Sequence, residues 1–165
     1  MIRYLRQRDR TTCGPIAVIN ALKWAGVKAT EKTHKKKIQR LTNCRSHGRG
    51  YNGCFPFDIN YALLQYKSIK ICKVYDGTTW ISLSEIDKHL DDGGSVLMRY
   101  FWAPGKGHYS ICVSRTSKKY TFVNDSREKT VTFRSRKTMR KMLSTTNSTF
   151  CGCQEYPVVW FLTRK

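Results

Sequence analysis

Cys13-Gly14-Pro15 stands at the head of a helical pattern. Val18, Ala21, Leu22 and Ala25 recur at i, i+3, i+4 and i+7, Pro15 suits the first turn, and Gly26 supplies a stop. A cysteine at a helix N-terminus meets unpaired N–H groups and the positive end of the helix dipole, both of which favour thiolate, and a neighbouring glycine lets backbone approach closely. Thiolate is the nucleophilic form, so Cys13 occupies a position suited to covalent catalysis. Far along the chain, Gly107-His108 opens an apolar strand pattern with Ser110, Ile111 and Val113, and Asn124-Asp125 closes the next one. A turn at Ser117-Lys118-Lys119 makes these runs antiparallel neighbours, which sets the start of one beside the end of the other. Nucleophile, base and a group to orient the base, Asp125 or Asn124, are thereby available.

The elements that must hold these residues follow from pattern. The basic segment Lys32 to Arg40 reads as a solvated helix face, residues 43–55 as a Gly-rich loop, and a second helix follows Pro56 carrying Phe57, Tyr61 and Leu64. Ile69–Tyr75 reads as a strand. Ser82-Leu83-Ser84-Glu85 fits a capping box before a short helix with Leu83, Ile86 and Leu90 inward, ended by Asp92-Gly93-Gly94. Strands are predicted at Ser95–Phe101, His108–Ser114, Tyr120–Asn124, Lys129–Phe133 and Val158–Leu162, with a helix near 137–144 turning Met139, Met142 and Leu143 inward. Helices first and an antiparallel sheet second make an α+β chain, and with no linker or repeat, residues 1–165 read as one domain.

Gln7 followed, after five intervening residues, by Cys13-Gly14-Pro15, then Gly107-His108-Tyr109, then Val123-Asn124-Asp125-Ser126 resemble the papain-like cysteine peptidases of the C39 and C39-like group, which includes the bacteriocin leader peptidases. The stretch from Gly50 to Gln65 and the run Leu83 to Leu97 extend the resemblance over residues 5–126. It implies a papain-like fold, with an N-terminal helical part carrying the Cys packed on an antiparallel sheet carrying the His and Asp. It further implies Cys13 as nucleophile, His108 as general base and then acid, and Asp125 as the orienter of His108. Gln7 and the Cys13 amide become the oxyanion donors, each worth ~2.7–4 kcal/mol in comparable sites. Thr12 stands where the group often has Asp, and Ser126 where it often has Pro. Asn124 remains the alternative orienter, since an amide fills that role in papain.

The implied reaction is hydrolysis of a peptide or isopeptide bond through a thioester, with no cofactor and no metal. The same layout also serves acyl transfer and deamidation. No transporter segment accompanies these 165 residues, so a coupled exporter is not expected.

Charge points to a second class of function. The chain carries 31 Lys+Arg against 11 Asp+Glu, formal net charge +20. Residues 1–40 and 101–165 hold nearly all of the excess, and the middle is close to neutral. Such a balance attracts polyanions, so the partners expected are a protein or peptide substrate, acidic by preference given Arg3, Arg6, Arg8 and Arg10, and nucleic acid by non-specific contact. The alternative function is a basic, nucleic-acid-associated or virion structural protein on a peptidase-like scaffold. No helix-turn-helix, zinc-finger or RNP signature supports sequence-specific binding. No apolar run reaches the ~18 residues of a membrane span and no signal-peptide core opens the chain, so an intracellular, reducing location is expected, with packaging in a virus particle as the alternative.

Seven cysteines without a secretory signal point to reduced thiols, with Cys72 and Cys112 as small buried residues. Cys44, His47, Cys54, Cys151 and Cys153 are soft ligands that could meet in space, but their spacing does not match the common zinc pairs.

Overall fold

Alternation along the strands sorts side chains into two layers and decides which helices each face receives. The computed structural model describes residues 2–9, 11–46, 52–77, 81–102, 107–124, 129–148 and 154–165; Asp125, His47, Cys151 and Cys153 lie outside the described residues. In chain order the elements are α1 (Cys13–Trp24), α2 (Glu31–Leu41), β1 (Arg45–Ser46), β2 (Asn52–Gly53), α3 (Pro56–Leu64), β3 (Ile69–Tyr75), α4 (Leu83–Asp91), β4 (Ser95–Phe101), β5 (Gly107–Arg115), β6 (Lys119–Val123), β7 (Val131–Ser135), α5 (Arg136–Ser144), β8 (Asn147–Ser148), β9 (Gln154–Glu155) and β10 (Val158–Arg164). Six strands form one antiparallel sheet in the order β3-β10-β4-β5-β6-β7.

Leu97, Tyr109, Ile111, Val123, Trp160 and Leu162 face α1, α2 and α3, where Ile16, Ile19, Leu22, Ile38, Ile59 and Leu63 complete one core. Their strand neighbours Val96, Met98, Tyr100, Phe122 and Phe161 face the other way, onto Leu83, Ile86 and Leu90 of α4 and Met139 and Met142 of α5. The α+β class expected from sequence is what the chain adopts, as three layers: α4 and α5 cover the sheet face opposite α1.

Most boundaries follow the sequence pattern, and the departures have local causes. In α3 the buried residues are Ile59, Ala62 and Leu63, while Phe57, Tyr61 and Leu64 face outward. Cys72 is exposed rather than buried, because β3 is an edge strand whose middle is uncovered. Half of the capping box forms: Ser82 Oγ accepts from the Glu85 amide at 3.2 Å, but the Glu85 carboxylate turns to Lys73 and to the Tyr75 hydroxyl. Strand β7 begins two residues later than expected, at Val131.

One polar knot ties the second layer together. The buried carboxylate of Asp87 on α4 accepts from Tyr120 Oη on β6 and Arg136 Nη1 on α5, both at 2.6 Å, and Arg115 of β5 lies 3.5 Å away. Burial and the neighbouring carboxylate push the Tyr120 phenol well above its ordinary pKa, so it stays a donor. Asp87→Ala strands two donors at once and is expected to lower the unfolding free energy by about 2–3 kcal/mol. Urea denaturation measures this, and Asp87→Asn, which keeps an acceptor, should lose less.

Candidate active site

The first turn of α1 is built from outside the helix. Thr12 at the N-cap supplies no side-chain cap. Asp9 does so instead, its Oδ1 accepting from the Thr11 amide at 2.9 Å and the Thr12 amide at 2.8 Å while Thr12 Oγ1 donates to the same carboxylate. Partial burial pushes the Asp9 carboxyl up, but the Thr12 hydroxyl, the two amides and the Lys35 charge outweigh it and hold the group below its ordinary range. The Asp9 carbonyl also takes Gln7 Nε2 at 2.6 Å. Asp9 is a positioning residue the sequence reading did not single out. An aspartate three residues before a helix-opening Thr-Cys was the signal available.

Cys13 begins the helix as expected and is 8% exposed. Burial dominates its electrostatics and pushes the thiol up to about 11. The Tyr109, Gly14 and Cys13 amides pull the other way without winning, and Cys44 adds to the rise. The resting side chain is therefore a thiol, where the helix N-terminus alone had suggested thiolate. Desolvation of a buried anion exceeds what the dipole of one helix end returns. The Tyr109 amide at the sulfur fixes the position of the site: Cys13 sits against β5 at the residue next to His108.

His108 is buried at the start of β5, opposite Tyr100 of β4. Its ring is stacked on Trp102, centroids 4.9 Å apart and planes at 21°, and meets Tyr100 edge-on. His108 Nε2 lies 2.6 Å from the main-chain oxygen of Asn124. A carbonyl oxygen only accepts, so Nε2 is the donor in this contact, and in the neutral imidazole the basic nitrogen is then Nδ1. This tautomer is what a general base needs.

Asn124 holds a left-handed backbone (φ 63°) immediately after β6. Its amide donates to the Thr130 carbonyl at 2.9 Å, its carbonyl takes His108, and its Oδ1 accepts the Gln7 amide at 2.7 Å. One residue thus joins the His strand to the N-terminal segment carrying Gln7. Gln7 is buried here rather than a surface residue among arginines. Among the described residues, Gln7 Oε1 and Asn124 Nδ2 have no partner. Of the four residues predicted for the site, Cys13, His108 and Gln7 converge on this junction. Trp102, Tyr109 and Asp9 join them without having been predicted, since stacking and main-chain contacts leave no spacing motif.

Among the described residues no group of three or more His, Cys, Asp or Glu side chains could hold a metal ion. Of the zinc candidates, Cys44 and Cys54 are described and lie near Cys13 as thiols. Among the described residues no helix is long and apolar enough to cross a membrane.

The model of the peptidase C39-like family matches residues 1–149. The chain belongs to that family. It is a cysteine peptidase on that membership. No curated protein matches it. Its fold is that of the peptidase domain of Streptococcus ComA, a bifunctional ABC transporter involved in quorum sensing, with TM-score 0.68, 12% identity and all of both chains covered. A C39-like peptidase from Bacillus anthracis is similar at TM-score 0.60 and 12% identity, over 99% of this chain and 96% of that one. The Streptococcus mutans ComA peptidase domain is similar at TM-score 0.53 and 10% identity, over 96% and 97%.

Two outcomes follow for this family member. Asn124→Gly keeps the left-handed turn and loses the Gln7 anchor, whereas Asn124→Ala loses the anchor and strains the backbone by a further ~1–2 kcal/mol. The two should differ by about that amount in chemical denaturation. Because the Cys13 thiol ionises near 11, its alkylation by iodoacetamide in the substrate-free protein should climb about tenfold per pH unit from neutrality and level off only near pH 11. Exposed Cys72 should react before Cys13 at neutral pH.

Proposed function

We propose that residues 1–165 form one peptidase domain that hydrolyses peptide or isopeptide bonds in proteins through Cys13, His108, Asp125 and Gln7. The observation that carries the reading is the 2.6 Å contact between His108 Nε2 and the Asn124 carbonyl, which makes Nδ1 the basic nitrogen of the neutral imidazole, at the residue adjoining the Cys13 site. In the resting enzyme Cys13 is neutral. Substrate in the cleft excludes water, and the proton on Cys13 Sγ passes to His108 Nδ1 as sulfur attacks the carbonyl carbon.

The oxyanion then meets the Cys13 amide and Gln7 Nε2. One hydrogen of that amide is spent on the Asp9 carbonyl, and the second is free to donate. His108, now an imidazolium, keeps Nε2–H on Asn124 and lies face to face with Trp102, a stacked cation–π arrangement. It returns the Nδ1 proton to the leaving amine as the C–N bond breaks. Water, deprotonated by the same nitrogen, hydrolyses the thioester and frees Cys13. Asp125, the residue after the Asn124 carbonyl in the chain, is the carboxylate that compensates the imidazolium. The exposed Arg3, Arg6 and Arg8 flank buried Gln7 and favour acidic substrates.

A peptide vinyl sulfone bearing acidic residues tests this. Expected is selective modification of Cys13 at neutral pH, slowed ~10²–10⁴-fold by His108→Ala. Turnover of a matching peptide should fall ~10²–10³-fold in Gln7→Ala. Equal labelling of Cys13 and Cys72, indifferent to His108→Ala, would overturn the proposal.

A further inference from the structure

Two more cysteines lie beside Cys13, and the chain register sets them face to face. In the β1–β2 ladder Arg45 is opposite Gly53 and Ser46 opposite Asn52, so one step further out Cys44 is opposite Cys54. Directly opposed residues of an antiparallel pair have Cα atoms ~4.5–5.5 Å apart, inside the ~4.4–6.8 Å that a disulfide spans. Both are thiols in this structure, and their sulfurs are hydrogen-bonded with Cys54 as donor. The pair lies against the first turn of α1. Cys44 Sγ donates to the Thr11 carbonyl at 3.1 Å, and Cys54 Sγ fills the space at Gly14, where a Cβ would come within 2.8 Å of it. The Cys54 carbonyl accepts the Tyr109 hydroxyl at 3.0 Å.

We propose that Cys44 and Cys54 are a thiol–disulfide modification site that exchanges with low-molecular-weight disulfides such as oxidised glutathione. The two cysteines divide the work by access. Cys44 is half-buried and Cys54 is 2% exposed, so the reagent meets Cys44 first. The Cys54 hydrogen bond holds the Cys44 thiol below its ordinary pKa against the effect of burial, while the same bond and burial push Cys54 up. Cys44 thiolate attacks one sulfur of oxidised glutathione, the reagent's S–S bond breaks, and one glutathione thiolate leaves. Cys54 then gives its proton to solvent and attacks Cys44 Sγ, expelling the second glutathione thiolate. Two protein thiols are oxidised and one glutathione disulfide is reduced; excess reduced glutathione reverses both steps. The bond ties the end of the α2 connection to the residue before Phe55 at the head of α3, and it removes the donor from the Thr11 carbonyl two residues before Cys13.

The test uses the full reduced chain, oxidised glutathione, an alkylating quench and non-reducing tryptic mapping. Cleavage after Arg40, Arg45, Arg49 and Lys67 places Cys44 in peptide 41–45 and Cys54 in peptide 50–67. Expected is a species joining these two peptides, lost on addition of dithiothreitol, with Cys13 still alkylated. The melting temperature should rise by roughly 5–10 °C on oxidation, since the bond closes a short loop of the unfolded chain. Cys44→Ser, which keeps a donor for the Thr11 carbonyl at a half-buried position, should lose both the linked species and the rise. A bond from Cys13 to either cysteine, glutathione left on Cys44 with no cross-link, or complete alkylation of all three would overturn the proposal. The readouts are mass and melting, so a failure here is distinct from a failure of the peptidase reading, on which it does not rest.

Discussion

The hydrogen bond from His108 Nε2 to the Asn124 carbonyl is the contact on which the rest of the site depends. It exists because the chain leaves β6 in a left-handed turn, which swings a main-chain oxygen back over the start of β5 instead of along the sheet. Asparagine is among the few residues with a side chain that tolerate this conformation, and its short amide then caps the Gln7 backbone. A side-chain acceptor could rotate away from His108; a carbonyl fixed by a ladder and by the Asn124–Thr130 bond cannot. The tautomer of the imidazole is thereby decided by the backbone. Any carboxylate acting on His108 adds charge to an orientation that the fold has already set.

A second constraint opposes the first in sign. Closing the site around Cys13 aligns three amides on its sulfur, but it also strips the sulfur of water, and the second effect is the larger. Cys13 rests as a thiol on that balance. It also protects Cys13 from small oxidants that attack thiolates, a vulnerability that Cys44, more open and with its pKa lowered, takes on instead.

Much of this was legible in the sequence, for reasons tied to particular residues. Helix α1 announced itself because its apolar face is uninterrupted from Ile16 to Trp24 and punctuated by Pro15 and Gly26. The β5–β6 hairpin was equally plain, since Ser117-Lys118-Lys119 breaks two apolar runs, and the Thr116 hydroxyl accepts from the Lys118 and Lys119 amides. Cys13, His108 and Gln7 could be named because side-chain chemistry has a residue type. What stayed hidden was done by main chain and by faces. Nothing in the letters says that the Asn124 oxygen, rather than its amide, meets His108. Nor do they say that α3 turns Phe57, Tyr61 and Leu64 outward, because its other side also offers Ile59, Ala62 and Leu63. The second helical layer was missed for a similar reason: α4 and α5 are short, and which sheet face a short helix covers depends on strand order that only pairing reveals.

The excess of positive charge gains a physical meaning from where the negative charges went. Asp9 caps α1 and pairs with Lys35, Glu31 holds the same lysine, Glu85 takes Lys73, Asp87 and Asp91 share Arg115, and Glu155 is bound to Arg99. Six of the 11 acidic residues are thus committed to specific cations or amides. Among the described residues Lys32 and Lys36 on the solvent side of α2 have no acidic partner, Lys37 lies over the Tyr66 ring, and Tyr61 of α3 shares a surface depression with them. The acids act at contact distance, well inside the screening length of the solvent. The basic field acts across solvent and fades within ~8–10 Å at physiological ionic strength. Fold and long-range attraction are therefore governed by different charges, so the surface can attract anions without the stability of the sheet depending on that attraction.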